Sequence, residues 1–174
     1  TFTQAIPSTV IENPVEIDES KNLINRSQRS YVLWIGRADK HHKRPLLALE
    51  IAARCPQLQF RMVLNKGDIS IQHEVESRKP SNVTIEPFVP THEMPDVMSN
   101  AIAFLSTGSS TYEGFPNVLL EASAVGTPII TLEDFDNYIQ RSLSGYVANQ
   151  STEEAASSLK RLSEDPKLWT EWST

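Results

Sequence analysis

Continuous apolar runs alternate with helical patterns along the chain from residue 31 onward. Each run is short and apolar at consecutive positions, which is typical of strands buried on both faces of a parallel sheet. Strands are predicted at residues 31–36, 58–64, 83–86, 101–105, 128–132 and 145–148. Helices are predicted at residues 45–54, 69–77, 92–98, 116–125, 152–163 and from 166 onward. This order predicts an α/β fold, a Rossmann-like doubly wound parallel sheet of about six strands with helices on both faces.

The first thirty residues differ from the rest. They contain Pro7 and Pro14 among polar residues and follow neither a helical nor a strand period, which predicts an extended lead-in or interdomain linker. The folded domain is therefore expected at residues 31–174. Because the chain starts with Thr1 and ends without a turn signal, we expect it to be a piece of a longer protein.

Composition narrows the possible functions. The chain has 174 residues, 39% of them hydrophobic, which suits one domain with a packed core. Its 16 basic and 22 acidic residues leave a net charge of −6 with no basic patch, which argues against a nucleic-acid partner. Cys55 is the single cysteine, so an internal disulfide and a cysteine-cluster metal site are excluded and a reducing, cytoplasmic setting is expected. No apolar run approaches the ~20 residues of a transmembrane helix.

Three well-known motifs are missing from the chain. No GxGxxG follows the first predicted strand, so the dinucleotide fingerprint of dehydrogenases is absent. There is no glycine-rich phosphate loop with its lysine, and no GxSxG nucleophile elbow. Any nucleotide site in this chain must therefore be built differently.

Two cations flank the turn after the first predicted strand. Arg37 directly follows the strand, and Lys43 comes six residues later, just before a predicted helix. Ligands of open parallel sheets bind beyond the carboxyl ends of the strands, and a guanidinium suits phosphate oxygens well. The pair is a candidate diphosphate site, with solvated loop charge as the alternative. His41 and His42 lie between them and are assigned to the surface, because no third metal ligand is near.

A carboxylate and a helix start follow the fourth predicted strand. Glu113 lies in a loop, Gly114 would let the backbone approach a ligand closely, and Pro116 can open the helix predicted at 116–125. Free N–H groups and the partial positive charge at such a helix N-terminus form an anion site.

Glu121 is the only charged residue in this otherwise apolar or small-residue helix. An unpaired buried carboxylate is unfavourable, so Glu121 needs hydrogen-bond partners. The vicinal hydroxyls of a ribose would satisfy both of its oxygens. The alternative is that Glu121 caps the helix or pairs with a nearby cation such as Arg141.

Taken together, the segments GRADKHHK and YEGFPNVLLEASAVGTPII resemble the C-terminal, nucleotide-sugar-binding domain of retaining GT-B glycosyltransferases of the glycosyl transferases group 1 type. The resemblance runs from about Tyr31 to Pro166. Its signature is a Glu, seven residues and a second Glu, met here by Glu113 and Glu121. The chain departs from the family pattern at Arg44, where a glycine commonly follows the lysine, and the turn at Gly67-Asp68 matches only loosely.

The resemblance implies a role for each matching residue. Arg37 and Lys43 would bind the donor diphosphate, Glu113 would lie against the donor sugar as a catalytic residue, and Glu121 would bind the ribose hydroxyls. The remaining donor contacts would come from the backbone after the first Glu and from a loop near the base: Gly114, Phe115, Asn117, Val118, Phe88 and Val89. The segment VIENPV at residues 10–15 looks like the linker between the two GT-B domains.

The implied whole enzyme moves a hexose from a nucleotide-diphosphate sugar, such as a UDP- or GDP-sugar, to an acceptor with retention of configuration. The resemblance implies no metal and no cofactor. A sugar or glycolipid acceptor would bind through an N-terminal domain outside this chain, and that domain would make any peripheral contact with the inner membrane surface. The alternatives are a nucleotide-sugar epimerase-like enzyme and a non-catalytic nucleotide-binding module. We expect the fragment alone to bind donor weakly and not to turn over.

Overall fold

A six-stranded parallel sheet forms the centre of the part of the chain that the structure describes. The computed structural model describes residues 26–173; the predicted lead-in up to residue 25, including the VIENPV segment, lies outside them. The strands are β1 (Tyr31–Arg37), β2 (Phe60–Asn65), β3 (Val83–Glu86), β4 (Ala101–Ser106), β5 (Ile129–Thr131) and β6 (Gly145–Val147). They are all parallel, in the order β3-β2-β1-β4-β5-β6. The predicted doubly wound fold is confirmed.

Helices connect the strands and cover both faces of the sheet. They are α1 (Pro45–Ala53), α2 (Ile69–Arg78), α3 (Met94–Ser99), α4 (Asn117–Ala124), α5 (Tyr138–Ser142), α6 (Thr152–Glu164) and α7 (Pro166–Trp172). Several begin at side-chain caps that satisfy free N–H groups: Asp68 caps α2, Ser151 caps α6 and Asp165 caps α7. These bounds agree with the predicted helices to within a few residues, except for α5.

The short helix α5 is absent from the sequence-based prediction. It lies between Asn137 and Leu143, whose backbones are both left-handed, with φ of 54° and 55°. Tyr138 N donates to Phe135 O, and Asp134 accepts hydrogen bonds from the next two N–H groups, Ile139 N at 3.0 Å and Gln140 N at 3.2 Å. Five residues are too few to show a helical period, so no sequence pattern marks this helix.

The continuous apolar strands are explained by two separate cores. Alternate residues of β1 point to opposite faces: Val32 and Trp34 belong to one buried cluster and Leu33 to the other. Helices α1, α2, α6 and α7 contribute to the first cluster, and α3, α4 and α5 to the second. A strand buried on both sides has no polar face to expose, which is why its sequence does not alternate.

The strand order reverses at β1 and β4. From β1 the chain proceeds towards β2 and β3, whereas from β4 it proceeds towards β5 and β6. The loops that leave the carboxyl ends of these two neighbouring strands therefore diverge and open a crevice between them. The segments with Arg37 and Lys43, and with Glu113, are these two loops. None of the helices within residues 26–173 has both the length and the apolar character needed to cross a bilayer.

A buried arginine ties the start of β1 to its neighbours. Arg29 is only 6% exposed and donates to Ala101 O at 3.1 Å, Thr127 Oγ1 at 2.7 Å and Val125 O at 3.1 Å. Its guanidinium also lies 4.7 Å from the centre of the Trp169 ring of α7. Burial lowers the pKa of Arg29 to about 10, so it remains charged at neutral pH.

We predict that Arg29→Ala lowers the free energy of unfolding by about 2–4 kcal/mol, because buried oxygens lose their donor. The matched control is Arg54→Ala, which removes an exposed ion pair with Glu50 (3.2 Å) and should change stability by less than about 0.5 kcal/mol. Urea unfolding followed by tryptophan fluorescence measures both variants. Equal losses in the two would contradict the role given to Arg29.

Candidate functional site

Two loops meet at the point where the strand order reverses. We name residues 38–44 the β1 loop and residues 107–116 the β4 loop. Thr107 Oγ1 donates to Lys43 O at 2.6 Å, and Ser109 N donates to His42 O at 3.0 Å. From the core below, Trp34 Nε1 donates to Thr107 Oγ1 at 2.8 Å. The two predicted motifs are therefore joined by direct hydrogen bonds.

The two loops also share an ion pair. Lys43 Nζ lies 2.5 Å from Glu113 Oε2, and the two side chains are 24% and 14% exposed. The other carboxylate oxygen, Glu113 Oε1, is buried and has no hydrogen-bond partner among residues 26–173. Gly108 makes this position possible, because a Cβ there would collide with Glu113 Oε1. The structure thus brings the predicted phosphate cation and the predicted sugar-side carboxylate into contact.

Arg37 lies at the carboxyl end of β1 with its side chain 53% exposed. Its nearest ionic partner is Asp39, at 3.6 Å. Burial acts to raise the pKa of Asp39, but hydrogen bonds from the backbone and ring of His42 and from His41 N outweigh it, and the pKa falls to about 2. Asp39 therefore stays ionised and holds the β1 loop, while the Arg37 guanidinium remains accessible to an anion.

The two histidines of the β1 loop pack against an aromatic ring of the β4 loop. The rings of His41 and His42 lie 5.3 Å and 5.9 Å from the ring of Tyr112, centre to centre. His41 is exposed, as expected, whereas His42 is half-buried. Within residues 26–173 no group of three or more His, Cys, Asp or Glu side chains forms a candidate metal site.

The β4 loop ends at the N-terminus of α4, which begins at Asn117 and not at Pro116 as predicted. The backbone N–H groups of Phe115 and Val118 have no hydrogen-bond acceptor among the described residues. Gly114 is exposed, and a Cβ there would meet nothing within 4 Å, so the backbone is open to a ligand. The Phe115 ring packs edge-on against Tyr138 at 5.3 Å, which fixes the loop's end. The arrangement offers N–H donors and a partial positive charge.

Glu121 lies on the next turn of α4 and is half-buried. The sequence suggested a helix buried on most sides, but only Leu119 and Ala122 of α4 are fully buried. No residue among 26–173 pairs with the Glu121 carboxylate, so the alternative pairing with Arg141 is not observed. Burial raises the pKa of Glu121 because nothing in the described chain compensates the desolvated charge.

The remaining predicted loop follows β3, two strands away from β1. Phe88 is 66% exposed at the same carboxyl edge of the sheet, whereas the side chain of Val89 is buried in the second core. Only the backbone of Val89 can therefore face a ligand at this edge.

The turn at Gly67-Asp68 is linked to the β1 loop by direct contacts. Asp68 N donates to Ala38 O at 2.8 Å, and its side chain accepts from Ser70 N at 2.8 Å at the start of α2. A Cβ at Gly67 would collide with the Ala38 carbonyl. The turn after β2 thus supports the β1 loop through a backbone contact.

Sequence reasoning missed two residues of this region, Arg44 and Glu133. Arg44 follows Lys43 and forms an ion pair with Glu133, which lies beyond β5 and also binds Ser110 of the β4 loop. No local motif marks Glu133, because its partners are far away in the sequence. The one available signal was that Arg44 replaces a common glycine.

Comparison with known proteins identifies the family. The family model described as glycosyl transferases group 1 matches residues 16–174. The chain belongs to the glycosyl transferases group 1 family. The sequence-based resemblance is confirmed, and the match includes both loops of the site. No curated protein sequence matches this family member significantly.

Solved structures of glycosyltransferases share the fold. A Staphylococcus aureus TarM mutant, in complex with fondaparinux, α-GlcNAc-glycerol and UDP, aligns with a TM-score of 0.76 at 20% identity over 95% of this chain. The C-terminal domain of LpcC, a glycosyl transferase group 1 family protein from Francisella tularensis, aligns with 0.64 at 19% identity over 86%. Anabaena HepE, in complex with UDP and glucose, aligns with 0.69 at 15% identity over 86%.

This chain covers only part of the length of the two larger structures. The chain spans 34% of TarM and 42% of HepE, but 84% of the LpcC C-terminal domain. At these sequence identities, the likeness establishes the fold.

Two glycine substitutions test the geometry of the site. We predict that Gly67→Ala destabilises the fold by about 1–3 kcal/mol, because the new methyl group meets the backbone of Ala38. Gly114→Ala should change stability by less than about 0.5 kcal/mol, because its Cβ enters open space. Thermal and urea unfolding of both variants provide the comparison. A Gly114→Ala variant as unstable as Gly67→Ala would contradict the described β4 loop.

The raised pKa of Glu121 predicts a pH-dependent effect of its charge. When folding raises the pKa of a carboxyl, the folded state loses stability as pH rises from the unfolded-state pKa to the folded-state pKa, and the loss is complete above the latter. Glu121→Gln should therefore stabilise the chain at pH 7, and the gain should disappear below the ordinary carboxyl pKa of about 4.3. The exposed Glu76→Gln in α2 is the control and should show no such gain. Melting temperatures between pH 3.5 and 8 test this, and a pH-independent difference would contradict it.

Proposed function

We propose that this chain is the donor-binding half of a glycosyltransferase that moves a hexose from a nucleotide-diphosphate sugar to an acceptor with retention of configuration. The observation that carries the proposal is the contact between Lys43 and Glu113, 2.5 Å apart, which joins the two family motifs where the strand order reverses. The crevice at such a reversal is where open parallel sheets bind nucleotides.

The diphosphate would bind among the positive groups around this contact. Arg37 presents an exposed guanidinium, and the N–H groups of Phe115 and Val118 are open donors at the start of α4. Lys43 would lie between the diphosphate and the Glu113 carboxylate, where its charge offsets the repulsion between two anions. These groups would stabilise the charge that grows on the leaving diphosphate as the sugar departs.

The sugar and the ribose would each meet a carboxylate. Glu113, with its second oxygen unpartnered, would face the donor sugar beside the open backbone of Gly114. Glu121 would accept hydrogen bonds from two ribose hydroxyls, one on each oxygen, which explains an unpaired and half-buried carboxylate in α4. Phe88 offers an exposed aromatic face near the expected position of the base.

The proposed chemistry assigns stabilisation of the leaving group to the chain's own cations, so we propose no metal and no cofactor. The acceptor, a sugar or glycolipid, would be supplied through a further domain, with the whole protein in the cytoplasm and in peripheral contact with the membrane. TarM and HepE were solved with UDP, which makes UDP-sugars the first donors to test.

Calorimetric titration of the chain with UDP-, GDP- and ADP-glucose tests donor binding. We expect saturable binding of at least one of the three, and a loss of at least tenfold in affinity in Arg37→Ala and in Glu121→Ala, because each removes a charge-assisted hydrogen bond worth about 1.5–3 kcal/mol. A ligand at 100 times its dissociation constant should stabilise the fold by about 2.7 kcal/mol.

Matched controls separate site effects from general charge effects. Arg54→Ala removes an exposed cation directly after α1, and Glu76→Ala removes an exposed carboxylate of α2. Both should bind like the wild type. Binding of none of the three nucleotide sugars, or equal losses in the controls, would overturn the proposal.

Retention and transfer need a second assay on the full-length protein. With donor and acceptor present, NMR of the product should show the anomeric configuration of the donor, and Glu113→Gln should abolish transfer. Epimer formation without acceptor would favour an epimerase-like enzyme, and full biological function of Glu113→Ala would favour a non-catalytic module. Transfer by residues 1–174 alone would contradict the donor-half assignment.

A further inference from the structure

Arg44 adopts a backbone conformation that favours glycine. Its φ and ψ are 47° and 55°, in the left-handed region, and it is the residue immediately before α1. The Cβ of an L-residue disfavours this region, so a non-glycine residue there is maintained by its surroundings. The side chain of Arg44 must therefore make contacts that a glycine lacks.

The Arg44 guanidinium binds the backbone of the β4 loop. Arg44 Nε donates to Thr107 O at 2.6 Å, and Nη2 donates to Gly108 O at 2.5 Å. On its far side, Nη1 donates to Gln150 Oε1 at 3.2 Å. The planar arrangement of guanidinium N–H groups allows two adjacent carbonyls to be held at once, which a single ammonium group does less rigidly.

Glu133 contacts both Arg44 and the β4 loop. Its Oε1 lies 2.8 Å from Arg44 Nη2, and the two side chains are only 15% and 11% exposed. Its Oε2 accepts hydrogen bonds from Ser110 N at 2.9 Å and Ser110 Oγ at 2.8 Å. Burial acts to raise the pKa of Glu133, but the Ser110 donors and the Arg44 charge outweigh it and lower the pKa. Glu133 is therefore ionised at neutral pH.

This network lies next to the proposed catalytic contact. Arg44 directly follows Lys43, and Ser110 precedes Glu113 by three residues within a turn where Glu113 N donates to Ser109 O at 3.0 Å. The ends of the Arg44–Glu133 network therefore fix both loops that carry the Lys43–Glu113 pair. Movement of the β4 loop would change the position of Glu113 and the start of α4 together.

We propose that Arg44 and Glu133 are positioning residues that hold the β4 loop in its donor-binding geometry, an inference that rests on the proposed function. The clamp formed by Arg44, Glu133 and Ser110 holds the left-handed backbone at Arg44 and the β4 loop through side-chain contacts. Neither residue needs to touch the donor, and both act through Glu113 and the N-terminus of α4.

Four variants test the clamp: Arg44→Gly, Arg44→Lys, Glu133→Gln and the Arg44→Gly/Glu133→Gln double variant. The backbone control is Leu143→Gly, because Leu143 also has a positive φ of 55° but its side chain is 69% exposed at the end of α5. All titrations use the chain with UDP-, GDP- and ADP-glucose, at a temperature where circular dichroism shows every variant to be folded.

We expect Arg44→Gly and Glu133→Gln each to weaken nucleotide-sugar binding at least tenfold and to speed amide hydrogen exchange of residues 107–116 at least tenfold. The double variant should bind about as weakly as either single one, because each single change already breaks the Arg44–Glu133 ion pair on which the clamp depends. Arg44→Lys should recover part of the affinity, because it retains a charge opposite Glu133. Leu143→Gly should bind like the wild type.

The outcomes separate this inference from the proposed function. Failure of the wild-type chain to bind any of the three nucleotide sugars overturns the proposed function. If the wild type binds, unchanged affinity in folded Arg44→Gly, or additive losses in the double variant, overturns the positioning role. Faster amide exchange of residues 107–116 without a loss of nucleotide-sugar affinity would show that the clamp only stabilises the loop. That result would also overturn the positioning role.

Discussion

The parallel pairing of β1 with β4 is the constraint on which the site depends. Because these strands are neighbours and continue in opposite directions across the sheet, their carboxyl ends release two loops into one crevice. The β4 loop is then bonded to the β1 loop: Ser109 N donates to His42 O, and the Thr107 hydroxyl donates to Lys43 O. The strand order thus determines where the crevice forms, and the hydrogen bonds between the β1 and β4 loops determine its shape.

Charge in the crevice is only partly compensated within the described chain. Lys43 and Glu113 neutralise each other, but Arg37 remains exposed and Glu121 has no partner among residues 26–173. An unpaired half-buried carboxylate opposes folding, and the proposed ribose hydroxyls would compensate it. The same principle explains the N–H groups left open at the start of α4. These local imbalances are the physical basis for proposing an anionic, hydroxyl-bearing ligand.

The parts that sequence reasoning missed share one cause, which is contact between residues far apart in the chain. The strands and most helices were predictable because burial leaves local patterns: continuous apolar runs, as at residues 31–36, and apolar residues at helical spacing, as at residues 152–163. Helix α5 was not predictable, since it is five residues long and bounded by left-handed Asn137 and Leu143. The role of Glu133 was not predictable either, because its partner Arg44 is on a different loop.

The sequence by itself determined the fold class and the order of its elements, the two motifs with Arg37, Lys43, Glu113 and Glu121, and the family. These follow from spacing along the chain, which folding does not change. Only the tertiary structure decided that Lys43 contacts Glu113, that Glu121 has no partner in the described chain, and that Arg44 binds the β4 loop. Such facts depend on distances of a few ångströms between separate loops, and those distances are set by how the whole sheet and its two cores pack.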